Sequence, residues 1–187
     1  MSKITWRGGA LIAPLPVVLV SSGTIEKPNV MTAAWTGIIN TIPAKTYVSI
    51  RPERYSHEII SKTKEFVINL TTSDLAYATD WCGVKSGKQI NKFEKMKLTP
   101  EKVTKIEAPA VGESPVNLEC KVTDIIKLGS HDMFLADIVA VNVDEKLVDK
   151  NGKLHLDKAK LIAYSHGEYF ELGKKLGKFG YSVQKKK

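Results

Sequence analysis

Hydrophobic and polar residues alternate along much of this chain with the two-residue period of a β-strand. The cleanest alternation follows Pro115, where apolar residues stand at positions 116, 118, 120 and 122 with polar residues between them. This pattern predicts a strand with one face against the core. A second strand, 133–144, is its expected antiparallel partner across a turn around Gly129 and Ser130.

Shorter runs of the same kind predict the remaining strands. They cover residues 15–22, 30–39, 46–51, 66–70 and 161–165. The runs 30–39 and 46–51 are expected to pair across turn material at 40–43, and Lys-Asn-Gly-Lys at 150–153 predicts a tight hairpin turn. Residues 85–105 carry seven lysines and two acidic residues in no regular pattern, which indicates a long loop of a kind that is usually functional.

Two short helices are predicted between the early strands. Ser56 is a candidate N-cap for the first helix, and Tyr55, just before it, is expected to pack onto Ile60. Ser73 is the candidate N-cap of the second helix, which Gly83 is expected to end.

These elements predict a mainly β fold. Six or seven strands with antiparallel hairpin connections and two short helices favour a closed or split β-barrel over a doubly wound sheet. The chain has 187 residues, with neither an internal repeat nor a low-complexity linker. Residues 1–187 are therefore expected to form a single domain.

The composition indicates the cellular location of the protein and the kinds of site that it is not expected to contain. The most apolar run, 11–20, contains two prolines and is shorter than the roughly 20 residues of a membrane-spanning helix, so no membrane association is expected. The start of the chain lacks the pattern of a secretory signal. Cys82 and Cys120 form no Cys-x-x-Cys motif and have no histidine at ligand spacing. We expect no metal site, no disulfide framework and a reducing, cytoplasmic location.

The formal net charge of +8 is concentrated near the C-terminus, where residues 150–187 hold ten lysines against three acidic residues and end in Lys185–Lys187. One interpretation is contact with nucleic acid or another anionic partner. The other is a solvated tail, or a rim that helps to hold an anionic cofactor. Because the tail contains no arginine, which nucleic-acid sites normally combine with aromatic residues, we favour the second and expect no nucleic-acid partner.

Residues 29–40 read Asn-Val-Met-Thr-Ala-Ala-Trp-Thr-Gly-Ile-Ile-Asn, and small residues are unusual inside a strand. Thr32, Ala33 and Ala34 would let the backbone approach a flat ligand closely, with the indole of Trp35 on one side. The alternative for Trp35 is an ordinary core aromatic.

The next segment combines Ser49 and Arg51 with Arg54, Ser56 and His57 at a strand-to-helix junction. Cationic and hydroxyl donors at a helix N-terminus are suited to a phosphate. Ser56 could instead be a plain helix cap, and Arg54 could form a surface ion pair with a neighbouring glutamate. A planar slot and a phosphate site close together indicate a mononucleotide. Neither Gly-x-Gly-x-x-Gly nor a P-loop motif is present.

The chain also resembles the flavin reductase-like family, of which flavoredoxins are the closest members. The resemblance rests on motifs in the same order along nearly the whole chain: Pro14-Leu-Pro-Val-Val-Leu-Val-Ser21, Pro28-Asn-Val-Met-Thr-Ala-Ala-Trp35, Arg51-Pro-Glu-Arg-Tyr-Ser-His57, Phe66-Val-Ile-Asn-Leu70, Cys82-Gly-Val-Lys-Ser-Gly87, Lys92-Phe93-Glu94, Pro115-Val-Asn-Leu-Glu-Cys120 and Leu128-Gly-Ser-His131. It implies an FMN-binding split β-barrel that works as a homodimer.

The resemblance also implies site residues. Ser86 and Gly87 in the lysine-rich loop can form a backbone nest for phosphate oxygens with Lys92 as a point charge, and the alternative is a flexible, solvated loop. The resemblance favours Lys92 as a phosphate ligand. It also places His131 near the flavin as the catalytic candidate, for which a solvated turn residue is the alternative. The full set of predicted cofactor-binding residues is Asn29, Thr32, Ala33, Ala34, Trp35, Ser49, Arg51, Arg54, Ser56, His57, Asn69, Ser86, Gly87, Lys92, Phe93, His131 and Tyr164. Of these, Asn29, Thr32 and Trp35 are expected to face the isoalloxazine, and Tyr164 to cover the ring from the same or the partner subunit.

The expected function is that of an FMN-binding oxidoreductase. It would pass electrons from NAD(P)H or an electron-transfer protein, each docking transiently, through bound FMN to an acceptor. One alternative is an NAD(P)H-dependent flavin or ferric reductase that uses FMN as a substrate. A second is a flavin-binding protein without turnover, and a basic nucleic-acid-binding barrel is the third.

Overall fold

The computed structural model describes residues 1–184. In chain order, its strands are β1 (Leu15–Pro16), β2 (Val18–Gly23), β3 (Pro28–Ala33), β4 (Thr36–Thr41), β5 (Ala44–Ile50), β6 (Glu65–Leu70), β7 (Pro100–Glu101), β8 (Ala110–Val111), β9 (Val116–Lys127), β10 (Asp132–Val143), β11 (Ile162–Ser165) and β12 (Glu168–Glu171). The α-helices are α1 (Tyr55–Thr63), α2 (Ala76–Val84) and α3 (Lys92–Lys95).

Seven of these strands form one antiparallel sheet in the order β3-β2-β6-β9-β10-β5-β4. The predicted hairpin of two long strands, β9 and β10, lies at its centre. Its turn is closed by the Leu128 N–H, which donates to the His131 carbonyl at 2.9 Å. The mainly β, barrel-type prediction is therefore confirmed.

The barrel closes because the chain crosses from one edge of the sheet to the other within two residues. β3 and β4 are the opposite edge strands, yet only Ala34 and Trp35 join them. The Ser49 N–H of β5 donates to the Trp35 carbonyl at 2.9 Å, which extends the β4–β5 pairing into this connection, the barrel seam. The single strand predicted at 30–39 is therefore wrong, and only its second half pairs with β5.

The core lies on both faces of β2. Val18 and Val20 point into the barrel with Phe66 and Phe134, whereas Leu19 packs outward under the helices. Alternate residues of a strand point to opposite faces, so a run that is apolar at every position is explained by burial on both sides. The helices thus cover one wall of the barrel beside the strand-to-helix junction.

The helix starts differ from the prediction. α1 begins at Tyr55, its N-cap is Arg54, and Ser56 lies buried inside the first turn. Ser56 is not a cap because its hydroxyl is engaged elsewhere, accepting a hydrogen bond from the Asn29 amide at 2.7 Å. Tyr55 correspondingly forms part of the helix rather than preceding its cap.

The second helix also begins and ends later than expected. Ser73 opens a 3₁₀ turn, Ser73–Leu75, whose N-cap is Thr72 and has no side-chain cap hydrogen bond. α2 then runs past Gly83 to Val84. A glycine does not end a helix unless the chain adopts a left-handed conformation there, and Gly83 retains the helical one.

The segment predicted as an irregular loop, 85–105, contains two regular elements. α3 is capped by Asn91, whose side-chain oxygen accepts from the Glu94 N–H at 3.3 Å, and β7 pairs with β8. The loop folds over the outer face of β9, where Glu119 is fully buried instead of facing solvent. Its carboxylate accepts from the Thr104 and Lys105 backbone N–H groups at 3.1 and 2.7 Å.

The strand predicted at 161–165 is present as β11, but it is followed by β12. His166 and Gly167 both have positive φ, 50° and 96°, as a two-residue hairpin turn requires. The turn at 150–153 is also present, with Gly152 at φ 75°. Lys185–Lys187 lie outside the described residues. No helix within residues 1–184 is long and apolar enough to span a membrane.

Candidate functional site

A cavity of 470 Å³ opens at the N-terminus of α1. It is lined by Asn29, Met31, Arg51, Glu53, Arg54, Tyr55, Ser56, Lys85, Ser86, Gly87 and Lys92, and we call it the cationic cavity. Residues that are up to 63 positions apart in sequence meet here, since β3, the β5–α1 junction and the segment after α2 all contribute. Seven of the predicted site residues are among them.

Lys92 is the most unusual residue of this cavity because a lysine is rarely buried. Only 4% of it is exposed, and its ammonium group donates to the Cys82 carbonyl at 2.7 Å. Burial lowers its pKa to about 8, the Cys82 thiol opposes that shift, and the nearby Arg54 charge adds to it. Among residues 1–184, neither Lys92 nor Arg54 forms an ion pair. The only carboxylate among the described lining residues, Glu53, pairs with Arg51, so the positive charges of Lys92 and Arg54 remain for an anionic ligand.

Hydroxyl and backbone groups complete the cationic cavity. Because Ser56 accepts from Asn29, its own proton is available to a ligand. A Cβ at Gly87 would lie 2.0 Å from Asn29 Oδ1, so only glycine lets this backbone approach so closely. Asn29 was expected to face a planar ring, but the structure places it at this charged end.

A second cavity of 330 Å³ continues from the first and shares Met31, Arg51 and Arg54 with it. We call it the central cavity. Its other lining residues are Val17, Thr32, Ala33, Ala34, Trp35, Ser49, Ile50, Gly83, His131, Tyr164 and Tyr169. The small residues of the barrel seam are thus brought together with His131 from the β9–β10 turn and Tyr164 from β11.

Both residues of the seam, Ala34 and Trp35, belong to the lining of this cavity. The Trp35 carbonyl is engaged by Ser49, but in the part of the chain that the structure describes the N–H groups of Ala34 and Trp35 have no acceptor. Thr32 lines the cavity, but its hydroxyl already donates to the Thr79 carbonyl. Donation to a flat ligand would therefore come from the backbone.

Two tyrosines form the far side of the central cavity. Tyr164 and Tyr169 pack edge to face with ring centroids 5.7 Å apart. The Tyr169 hydroxyl donates to Asp80 at 3.0 Å, and burial followed by this carboxylate raises the pKa of Tyr169 to about 12. Tyr169 was not predicted as a site residue because β12 was missed. The His166-Gly167 turn is the signal that could have revealed it.

Three predicted site residues line neither cavity. His57 pairs with Asp132 at 2.8 Å. Asn69 is fully buried and accepts from the Val111 N–H at 2.8 Å. Phe93 belongs to the apolar cluster under the helices. Each of these side chains is engaged inside the protein, and their assignment to the cofactor site stays a prediction.

The two cavities suit a molecule with a phosphate at one end and a flat, acceptor-rich ring at the other. The charges of Arg54 and Lys92 would meet a phosphate, while the Ala34 and Trp35 donors would meet a ring. An FMN-like shape fits this donor set. Within residues 1–184 no cluster of three His, Cys, Asp or Glu side chains could hold a metal ion.

Comparison with known proteins points the same way. Residues 11–173 match the family described as "Flavin reductase like domain". An uncharacterized protein of Archaeoglobus fulgidus is 34% identical over 84% of this chain and 87% of its own length. Flavoredoxin of Desulfovibrio vulgaris (Miyazaki F) superposes with a TM-score of 0.90 at 29% identity, covering 98% of this chain and all of that one. Flavoredoxin from Methanosarcina acetivorans gives 0.87 at 25% identity with the same coverage.

Proposed function

Because this chain belongs to the flavin reductase-like family, its cofactor is a flavin, and we propose that it is an FMN-dependent oxidoreductase. In this proposal, residues 1–187 act as one flavin-binding domain. Electrons pass from a reduced donor, NAD(P)H or an electron-transfer protein, through bound FMN to an acceptor.

The observation that carries the choice of FMN is the buried, unpaired charge of Lys92 beside Arg54. Riboflavin has no phosphate and would leave both charges uncompensated. The phosphate of FMN would receive charge-assisted hydrogen bonds from both cations and a further bond from the Ser56 hydroxyl. The cationic cavity therefore supports a phosphorylated flavin.

The central cavity would hold the ring. Bound FMN supplies reversible two-electron chemistry. The Ala34 and Trp35 N–H groups would donate to ring acceptors and favour the negative charge that reduction brings. His131 lies at the edge of this cavity, with Nδ1 2.9 Å from the Ser130 hydroxyl, where it can hold or deliver a proton as the candidate catalytic residue.

We further propose a homodimer in a reducing, cytoplasmic compartment. Exposed apolar side chains support the dimer, among them Ile38 and Ile39 on edge strand β4 and Val141 on β10. Both thiols, Cys82 and Cys120, are buried and free, which supports the compartment.

The deciding experiment compares FMN with riboflavin by calorimetric titration of the flavin-free protein. Two charge-assisted contacts of about 1.5–3 kcal/mol each predict that FMN binds at least about 100-fold more tightly. Equal affinities would rule out the phosphate site. Failure of both ligands to bind would rule out the flavin cofactor itself.

A further inference from the structure

A third cavity, of 450 Å³, adjoins the central one on the other side of the seam. The two share Ala34, Trp35, Ser49 and His131. The lining is completed by Ala10, Ile12, Leu15, Tyr47, Leu128, Ser130 and Met133. We call it the apolar cavity. It combines the segment before β1, the β9–β10 turn and strand β5 in one wall.

The number of charged lining residues decreases from the cationic cavity through the central cavity to the apolar cavity. Arginine and lysine contribute four residues and glutamate one to the cationic cavity. Two arginines reach the central cavity. Among the described residues that line the apolar cavity there is no Lys, Arg, Asp or Glu. A charged ligand would find no counter-charge in this lining, so the lining favours a neutral molecule.

The few polar groups in the apolar cavity are neutral hydrogen-bonding groups. They are the hydroxyls of Ser49, Ser130 and Tyr47 and the imidazole of His131. Ser130 and His131 lie within 2.9 Å of each other. Such a mostly apolar lining with one cluster of donors is typical of sites for small ring compounds, and the volume suits one such molecule.

We propose that the apolar cavity binds a neutral aromatic ketone or a similar carbonyl compound as the acceptor-side ligand. The acceptor role rests on the proposed function, because the shared wall of Ala34, Trp35 and His131 brings the ligand beside the ring position. The binding site itself rests only on the lining. A pyridine dinucleotide does not fit this selectivity, since its pyrophosphate would have no cation to meet in the cavity.

The test measures binding to the flavin-loaded protein by calorimetry, using two probes of nearly equal size. 2-Acetylnaphthalene is neutral and 2-naphthoate is anionic. We expect one molecule of the ketone to bind per chain, at least about tenfold more tightly than the carboxylate. Equal or tighter binding of 2-naphthoate, or no ketone binding because a partner chain fills the cavity, would overturn the inference.

Variants locate the site. Ile12→Lys brings a charge to the cavity from an 81% exposed coil position, where the fold is not at risk. It should weaken ketone binding at least about tenfold and improve binding of 2-naphthoate. Ile4→Lys is the matched control, 82% exposed and outside the three cavities. Equal responses of the two variants would contradict the site, and Met133→Lys repeats the test from β10.

Flavin content, read from the visible absorbance of each sample, separates the two proposals. A yellow protein that fails to bind the ketone refutes the apolar site and leaves the flavin function intact. A protein that takes up no flavin but binds the ketone refutes the flavin function, while the ligand class of this cavity stands.

Discussion

Asn29 and Ser56 are joined by a hydrogen bond of 2.7 Å in which the amide donates to the hydroxyl. The bond connects strand β3 to the first turn of α1, and both elements line the cationic cavity. Since the Ser56 oxygen already accepts from Asn29, its proton is directed to another acceptor. The Asn29 amide thus orients the Ser56 hydroxyl and adds no charge to the phosphate site.

Asn29→Asp tests this orientation. The carboxylate accepts but does not donate, so it should capture the Ser56 proton and place a negative charge beside the phosphate site. We expect FMN affinity to fall by about tenfold or more, because a charge-assisted contact of about 1.5–3 kcal/mol is lost. Calorimetric titration measures it, and unchanged FMN affinity would show that Ser56 does not serve the phosphate.

Arg54→Ala should weaken FMN by about tenfold or more for the same physical reason. Riboflavin binding should change little, since riboflavin has no phosphate. Arg7→Ala is the control, an arginine that lines neither the cationic nor the central cavity. A similar loss for both ligands would remove Arg54 from the phosphate site.

FMN binding should weaken as pH rises through about 8. Burial lowers the pKa of Lys92 to about 8, so the flavin-free protein loses this charge above that pH. A phosphate must then bind a neutral amine or take up a proton. Titrations from pH 7 to 10 with Lys92→Met alongside measure the effect. The variant should bind FMN more weakly and lose this part of the pH dependence.

The same residue predicts a stability change of definite sign. The pKa of Lys92 is lowered from 10.5 in the flavin-free folded protein, so between about pH 8 and 10.5 the unfolded chain binds more protons than the folded one. The contribution of Lys92 to the free energy of unfolding should therefore rise with pH over this window. Urea unfolding of the flavin-free protein and of Lys92→Met measures it. Parallel pH profiles would contradict a buried, charged Lys92.

Turnover should depend on His131. Anaerobic stopped-flow reduction of the flavin-loaded protein by NADH, NADPH and a reduced iron–sulfur protein identifies the donor class. His131→Ala should slow proton-coupled turnover by about 100-fold with FMN retained, within the usual range for general acid–base catalysis.

Reduction by the protein donor alone would support an electron carrier. Release of FMN in each cycle would support a reductase that uses FMN as substrate, and no reduction at all would support a binding protein.

Sedimentation should give a species of twice the chain mass of 20.7 kDa. Ile38→Lys and Ile39→Lys place charges on the exposed edge strand β4 and should shift the species towards monomer. A 20.7 kDa monomer that still holds FMN would contradict the dimer.

Alternation predicted the strands well where one face is buried, as in β9 and β10, because a period of two follows directly from strand geometry. It failed at Ala34 and Trp35, since a bend between two strands does not interrupt the pattern. The alternating pattern predicted that Glu119 faces solvent. Its burial could not be predicted because it depends on a loop that lies 14–15 residues away and supplies its hydrogen bonds.

Motifs predicted that Arg54 and Gly87 lie close together, and the structure brings both to the cationic cavity. Adjacency in sequence was a poorer guide. Phe93 directly follows Lys92, but neighbouring helix residues point about 100° apart, so one lines the cavity and the other packs in the core. The N-cap predicted at Ser56 was also wrong, because the Asn29 amide, 27 residues away in sequence, donates to the Ser56 hydroxyl.

The two-residue seam between β3 and β4 links ligand occupancy to the integrity of the barrel. Ala34 and Trp35 are at once the covalent bridge between the sheet's edges and a wall shared by the central and apolar cavities. Any molecule that binds these N–H groups stabilises only the closed state. Amide hydrogen exchange at the seam should therefore slow when the flavin is bound. The cofactor would then stabilise the closed barrel in addition to supplying the redox chemistry.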